Sequence, residues 1–296
     1  MKLSPFNSKI GLALGGGAAK GIAHIGVLKA FEEEKIEVSC IAGTSVGALV
    51  ASYHAFGQRS DQIMSIGATL NLSKMINFTW KKRGLFSTDP IKEMIHRDLG
   101  NVNIEDAPIP LAICTTDIET GEQVIFKKGN LADVVCASMA VPGLFVPVEI
   151  DSRTLVDGGI VENVPVSPLK GMGAGIIIAV DLTHTKRYAK PKDTLDVVGN
   201  AIDIGMDLRT HGQLKQADVR VDLNLTKYSR TNNAECADEL MMEGYYPMKQ
   251  KIQEVLWYKR TNALQHLVKM LLSLMPFKVP TVFKRLGAKL FKLNDN

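Results

Sequence analysis

One serine, one aspartate and a run of glycines are the residues of this chain whose types and spacing suggest chemistry. Gly43-Thr44-Ser45-Val46-Gly47 is a GxSxG pentapeptide set between the apolar run Val38-Ser39-Cys40-Ile41-Ala42 and Ala48-Leu49-Val50-Ala51-Ser52-Tyr53. The pattern predicts a buried strand turning sharply into a helix, with Ser45 at the apex. Small residues at Gly43 and Gly47 let strand and helix approach closely. A hydroxyl held there stands beside a helix N-terminus, where developing negative charge is favoured. A hydrolase presents its nucleophile in this way. The plainer alternative is a glycine-rich turn with a capping serine.

A second glycine cluster lies one strand–helix unit earlier. Ile10-Gly11-Leu12-Ala13-Leu14 reads as a strand, Gly15-Gly16-Gly17-Ala18-Ala19-Lys20-Gly21 as a loop, and Ile22 to Phe31 as a helix. Such a loop turns unpaired backbone N–H groups outward, ready for an anion. The anion can be an NTP phosphate, a dinucleotide pyrophosphate or a tetrahedral oxyanion. The first is excluded because Lys20 precedes Gly21 rather than Ser or Thr. The second has Glu37 at roughly the right distance for a ribose but lacks the middle fingerprint glycine. The third needs a nucleophile at the same sheet edge, and Ser45 follows one unit later.

The third element is Leu155-Val156-Asp157-Gly158-Gly159, continuing into Ile160-Val161-Glu162-Asn163-Val164-Pro165. Asp-Gly is a common hairpin turn. Beside a GxSxG motif it is also a positioned carboxylate, because a serine hydroxyl needs a base.

Taken in order, these three motifs resemble the patatin-like phospholipases, the bacterial single-domain members most. Ala23-His24-Ile25-Gly26-Val27-Leu28, Ser138-Met139-Ala140-Val141-Pro142-Gly143 and Asn163-Val164-Pro165 add to the likeness, which covers roughly residues 8 to 170. The resemblance implies a serine acyl hydrolase acting on lipid carboxyl esters through a Ser–Asp dyad. Ser45 is then the nucleophile and Asp157 the general base, with the N–H groups of Gly16, Gly17 and Ala18 forming the oxyanion hole. Gly15, Lys20, Gly21, Gly43, Gly47, Gly158 and Gly159 complete the motifs. Ala18 stands where many members have glycine, and Lys20 holds a position whose expected role is structural. The family also admits a non-catalytic reading, a lipid-binding or regulatory module.

The histidines agree with a dyad. His24 falls on the apolar side of the first helix and reads as packed. His54 sits at the end of the helix after Ser45, where a cation suits the helix dipole. His96 and His266 lie in amphipathic stretches. A Ser, Asp, His triad remains open through His184 or His211, with Asp181 able to orient a histidine. The six histidines and four cysteines show no metal-ligand spacing, and no cofactor is expected.

These groups need a frame. The chain has 296 residues, 46% of them hydrophobic, a net charge of +4 and mean hydropathy of +0.05. Alternating strand and helix signals predict an α/β fold, a three-layer sandwich on a largely parallel central sheet. Leu111 to Asp117 reads as a buried strand, paired with Glu122 to Phe126 across Thr120-Gly121. Ser87-Thr88-Asp89-Pro90 reads as a helix start. Cysteines 40, 114, 136 and 236 are expected as reduced thiols. Lys2 and Lys9 before Ile10 to Ala19 mimic a signal peptide, but that run supplies the first strand and the loop, so a cytoplasmic location is expected.

Residues 8–256 are read as the patatin-like catalytic domain and 257–296 as a helical extension. From Trp257 onward the chain carries eight basic residues against one acid, Asp295, a net charge of +7. Leu264, Leu267, Val268, Leu271, Leu272 and Met275 recur at helical spacing, and Pro276 and Pro280 separate a second stretch. A basic face opposite a Leu/Met/Phe face suits an anionic membrane surface; a helical pair docked on the domain is the alternative. Alternation with aliphatics rather than aromatics argues against nucleic acid. Leu70 to Phe86, with Trp80, is a candidate lid. Oligomeric state is not legible.

Overall fold

The structure, a computed structural model, describes residues 8–69, 77–78, 84–183, 188, 190–191, 194–228 and 233–274. Its frame is a mixed sheet whose middle strands are short apolar runs buried on both faces. They are β1 (Ile10–Leu14), β2 (Cys40–Thr44), β5 (Leu111–Asp117) and β9 (Ile176–Asp181). Continuous burial of this kind is what a parallel sheet needs when helices cover both sides.

In chain order the remaining strands are β3 (Asn77–Phe78), β4 (Phe86–Ser87), β6 (Gln123–Phe126), β7 (Val148–Ile150), β8 (Arg153–Asp157) and β10 (Val219–Asp222). The sheet runs β10-β9-β1-β2-β5-β8-β7, with β6 also on β5. The five strands from β10 to β5 are parallel, Leu12 lying between Ile41 and Ile178. β6 and β8 meet β5 antiparallel. The β5–β6 pair is the one expected across Thr120-Gly121. β3 and β4 form a separate two-stranded ladder.

Strand periodicity sorts the side chains into two layers. Leu12, Leu14, Ile41, Ile178 and Val180 face the larger core. That core is completed by α1 (Ile22–Glu33), α2 (Val46–Ala55), α3 (Ser60–Thr69), α4 (Asp89–Leu99), α5 (Leu131–Ser138) and α9 (Ala237–Leu274). Ala13, Cys40, Ala42, Ile177 and Ala179 face the other way, toward Leu169 of α7 (Ser167–Gly171) and Leu214 of α8 (Thr194–Leu214). Large residues on one face and small ones on the other let the second helical layer lie close to the strands. The three-layer sandwich with a largely parallel sheet is therefore the observed architecture.

Asp157 ends β8, and the chain enters the short helix α6 (Gly159–Glu162) through Gly158. The dipeptide thus joins a strand to a helix, not two hairpin strands. α4 begins at Asp89 with Thr88 at its N-cap. α9 runs unbroken through Leu256 and Trp257, and Leu256 and Tyr258 pack against the larger core. All four cysteines are free thiols. Among the described residues no helix is long and apolar enough to cross a membrane.

Candidate active site

Ser45 stands between β2 and α2 with φ 56° and ψ −129°, a backbone region that costs a non-glycine residue about 1–3 kcal/mol. The surroundings hold it there. A Cβ on Gly47 would sit 2.2 Å from the Leu14 oxygen, and one on Gly43 2.4 Å from the Ala48 Cα. Strand and helix can cross this closely only with glycine at both places. The Ser45 N–H donates to Ser138 Oγ at 2.9 Å, and the Ser138 hydroxyl donates to the Cys114 oxygen at 2.7 Å. Ser138 belongs to a stretch already singled out in the sequence. No local signal showed that it would grip the turn from α5.

Asp157 reaches the same point from the antiparallel side of β5. Its N–H donates to the Ala140 oxygen at 2.9 Å, and Thr116 Oγ1 donates to its main-chain oxygen at 2.9 Å. The carboxylate accepts the Gly159 N–H at 2.8 Å and is a hydrogen-bonding neighbour of the Ser45 side chain. Burial raises its pKa from 3.8 to about 6. The Ser45 and Gly159 hydrogen bonds pull that value down in part, and the charge of Asp203 in α8 pushes it up. Two residues far apart in sequence are thus brought into contact, and the carboxylate is more basic than usual.

The glycine loop lies against the serine. A Cβ on Gly16 would fall 2.7 Å from Asn163 Oδ1 and 3.3 Å from Ser45 Cβ. Gly15 donates its N–H to the Val180 oxygen at 3.1 Å and Gly16 its N–H to the Asn163 oxygen at 3.2 Å. This corrects one expectation: the Gly16 N–H is engaged within the fold and is not a free oxyanion donor. Gly17 and Ala18 come next, and among the described residues neither N–H has a partner. Ala18 adopts φ 53°, a left-handed conformation that an alanine holds only under constraint. The Lys20 N–H closes the turn on the Gly17 oxygen at 3.2 Å. Gly21 packs against Val46.

His24 is fully buried and hydrogen-bonds the Gly15 oxygen through Nε2 at 2.8 Å. Burial depresses its pKa to about 4, so the ring is neutral and Nε2–H donates. It braces the loop from beneath. His54 lies in the last turn of α2; burial lowers its pKa against the opposing charge of Glu32, which disfavours the cation expected there. His96 lies in α4, and His211 is exposed in the last turn of α8. Asp181 is buried and accepts hydrogen bonds from Thr183. His184, the side chain of His266, and most of the candidate lid, including Trp80, lie outside the described residues.

Next to the loop, an apolar pocket of about 600 Å³, open mouth included, runs between α1, α2 and α3. Ala18 and Val46 stand at its loop end, and Ile25, Val50, Ile63 and Gly67 line its walls. Tyr53 also lines it, with its hydroxyl donated to Asp98 Oδ2 at 2.8 Å. The arrangement places a hydroxyl, a basic carboxylate, two N–H groups with no partner among the described residues, and an apolar slot near one sheet edge.

The chain is similar to several known proteins. An NTE family protein of Mycobacterium tuberculosis is 35% identical over 195 residues, covering 64% of this chain and 54% of that protein. The human patatin-like phospholipase domain-containing protein 6 is 33% identical over 181 residues, 58% of this chain and 13% of that protein. The chain thus spans about half the length of the mycobacterial relative and a small part of the human one. Among solved structures, VipD from Legionella pneumophila superposes with a TM-score of 0.59 at 15% identity. That match covers 84% of this chain and 68% of VipD, a likeness of fold. The profile of the patatin-like phospholipase family matches residues 12–170, more than half of the sequence, and the chain belongs to that family.

Proposed function

We propose that this protein is a serine acyl hydrolase that cleaves lipid carboxyl esters with Ser45 as nucleophile and Asp157 as general base. The observation that carries the reading is the contact between Ser45 and a buried carboxylate whose pKa is raised to about 6. A base of that strength is still ionised at neutral pH yet accepts a proton more readily than an exposed aspartate.

Asp157 takes the hydroxyl proton as Ser45 Oγ attacks the ester carbonyl. The carbonyl oxygen becomes an oxyanion held by the Gly17 and Ala18 N–H groups. Collapse expels the alcohol portion of the lipid, which takes the proton back from Asp157. Water then attacks the acyl-serine with Asp157 again as base, releasing the fatty acid and restoring the hydroxyl. Each oxyanion donor is worth about 10²–10³ in rate. The apolar pocket beyond Ala18 receives the acyl chain. The basic segment 257–296, treated as an extension of the catalytic unit 8–256, is read as a contact for anionic lipid on the strength of its composition.

The test is turnover of a soluble p-nitrophenyl ester. Ser45→Ala abolishes it, and Asp157→Asn lowers it nearly as far. Full activity in either folded variant removes the mechanism.

A further inference from the structure

Helix α8 walls the Asp157 side of the site and is tightly held on one face. Met206 packs onto Gly159, where a Cβ would stand 2.3 Å from its Cε. Gln213 bonds the Val161 oxygen at 3.0 Å and the Val164 N–H at 3.2 Å. Arg209 donates to the Ile160 oxygen at 3.1 Å. The helix is therefore clamped to the corner that carries the carboxylate.

Its opposite face is apolar and open. Val197, Ala201, Ile204 and Leu208 follow the spacing that puts residues on one side of a helix. Val197 is 54% exposed, Ile204 44% and Leu208 78%, and Ala201 is exposed as well. A single exposed leucine means little, but a contiguous stripe on a charged protein marks a contact surface. The stripe is about 16 Å long at the helical rise. The exposed His211 and Lys215 continue the same line beyond Leu208, so the apolar stretch ends in basic groups. Asp203, one residue from Ile204, is near enough for its charge to be felt by Asp157.

We infer that this face of α8 inserts into the surface of a lipid bilayer. Aliphatic side chains enter the headgroup boundary while basic groups at the end of the stripe meet anionic headgroups. The choice of a bilayer as partner rests on the lipid-hydrolase reading, and the surface belongs to α8 rather than to the C-terminal extension.

The test uses the full chain carrying Ile204→Gln and Leu208→Gln together. Co-sedimentation with vesicles of phosphatidylcholine and phosphatidylglycerol is expected to weaken about tenfold, the scale for removing two partly inserted aliphatic groups. Hydrolysis of soluble p-nitrophenyl butyrate stays unchanged, and an unaltered circular dichroism spectrum shows that the variant is folded. Residues 257–296 are intact in both proteins, so the loss belongs to α8. Equal pelleting of the folded double variant overturns the inference. A concentration-dependent dimer that the variant dissolves, with vesicle binding unchanged, also overturns it by assigning the face to a second copy. Because pelleting needs no turnover, a failure of the hydrolase reading appears separately, as full activity in Ser45→Ala.

Discussion

Ser138 accepts the main-chain N–H of Ser45 at 2.9 Å, and its hydroxyl proton goes to the Cys114 oxygen at 2.7 Å. Two residues further on, Ala140 accepts the N–H of Asp157 at 2.9 Å. The end of α5 therefore grips both proposed partners of the dyad by their backbones. It fixes the distance between them without touching substrate.

Ser138→Ala leaves a buried donor and a buried acceptor unpaired, at a cost of about 1–3 kcal/mol. The strained turn at Ser45 relaxes, so kcat is expected to fall more than KM rises. Ser138→Thr, which restores the hydroxyl, is expected to recover much of the rate. Steady-state kinetics on a soluble ester checks this. A rate unchanged in the alanine variant would show that the turn holds itself.

The raised pKa of Asp157 carries a stability consequence. A carboxyl group whose folded pKa lies above its unfolded value binds its proton more tightly in the folded state. Its contribution is fully present below 3.8 and is lost as pH rises through about 6. Asp157→Asn, which never ionises, is thus expected to stabilise the protein by on the order of 2 kcal/mol at pH 8. The gain disappears in acid. Thermal melts at both ends of the range measure it, and a variant less stable than the parent at pH 8 would contradict the burial argument. In the active protein, kcat/KM should rise along one limb with an apparent pKa near 6.

Much of this site is legible in the sequence because its signals are local. The glycine flanks of Ser45 and the apolar runs ahead of each loop are all set within one strand–helix unit. What is not legible depends on contacts across the fold. Gly16 looks like its neighbours in the chain, yet its N–H is taken by Asn163, which only the pairing of β1 with β9 and the course of α6 bring near. The His24 bond to Gly15 has the same character: the histidine's apolar surroundings predicted burial, but not its partner. His54 shows the same limit: its place at a helix end is local, whereas the burial that disfavours its cation comes from tertiary packing.

The apolar pocket gives a prediction on chain length. Gly67 lines it from α3, and a Cβ there would meet Ile25 Cδ1 at 3.5 Å, an ordinary contact. Gly67→Leu therefore fills the slot without breaking the helix. Hydrolysis of p-nitrophenyl laurate is expected to fall about tenfold or more while the butyrate ester is little affected. Equal losses on the two esters would place the acyl chain elsewhere.

The central claim is that Ser45 is an activated nucleophile whose activation comes from Asp157. Reaction with a fluorophosphonate followed by intact-mass and peptide analysis tests it most directly. The account predicts a single adduct on Ser45, none in Ser45→Ala and greatly slowed labelling in folded Asp157→Asn. No adduct on the folded parent protein, or labelling as fast in the Asp157→Asn variant, would contradict it.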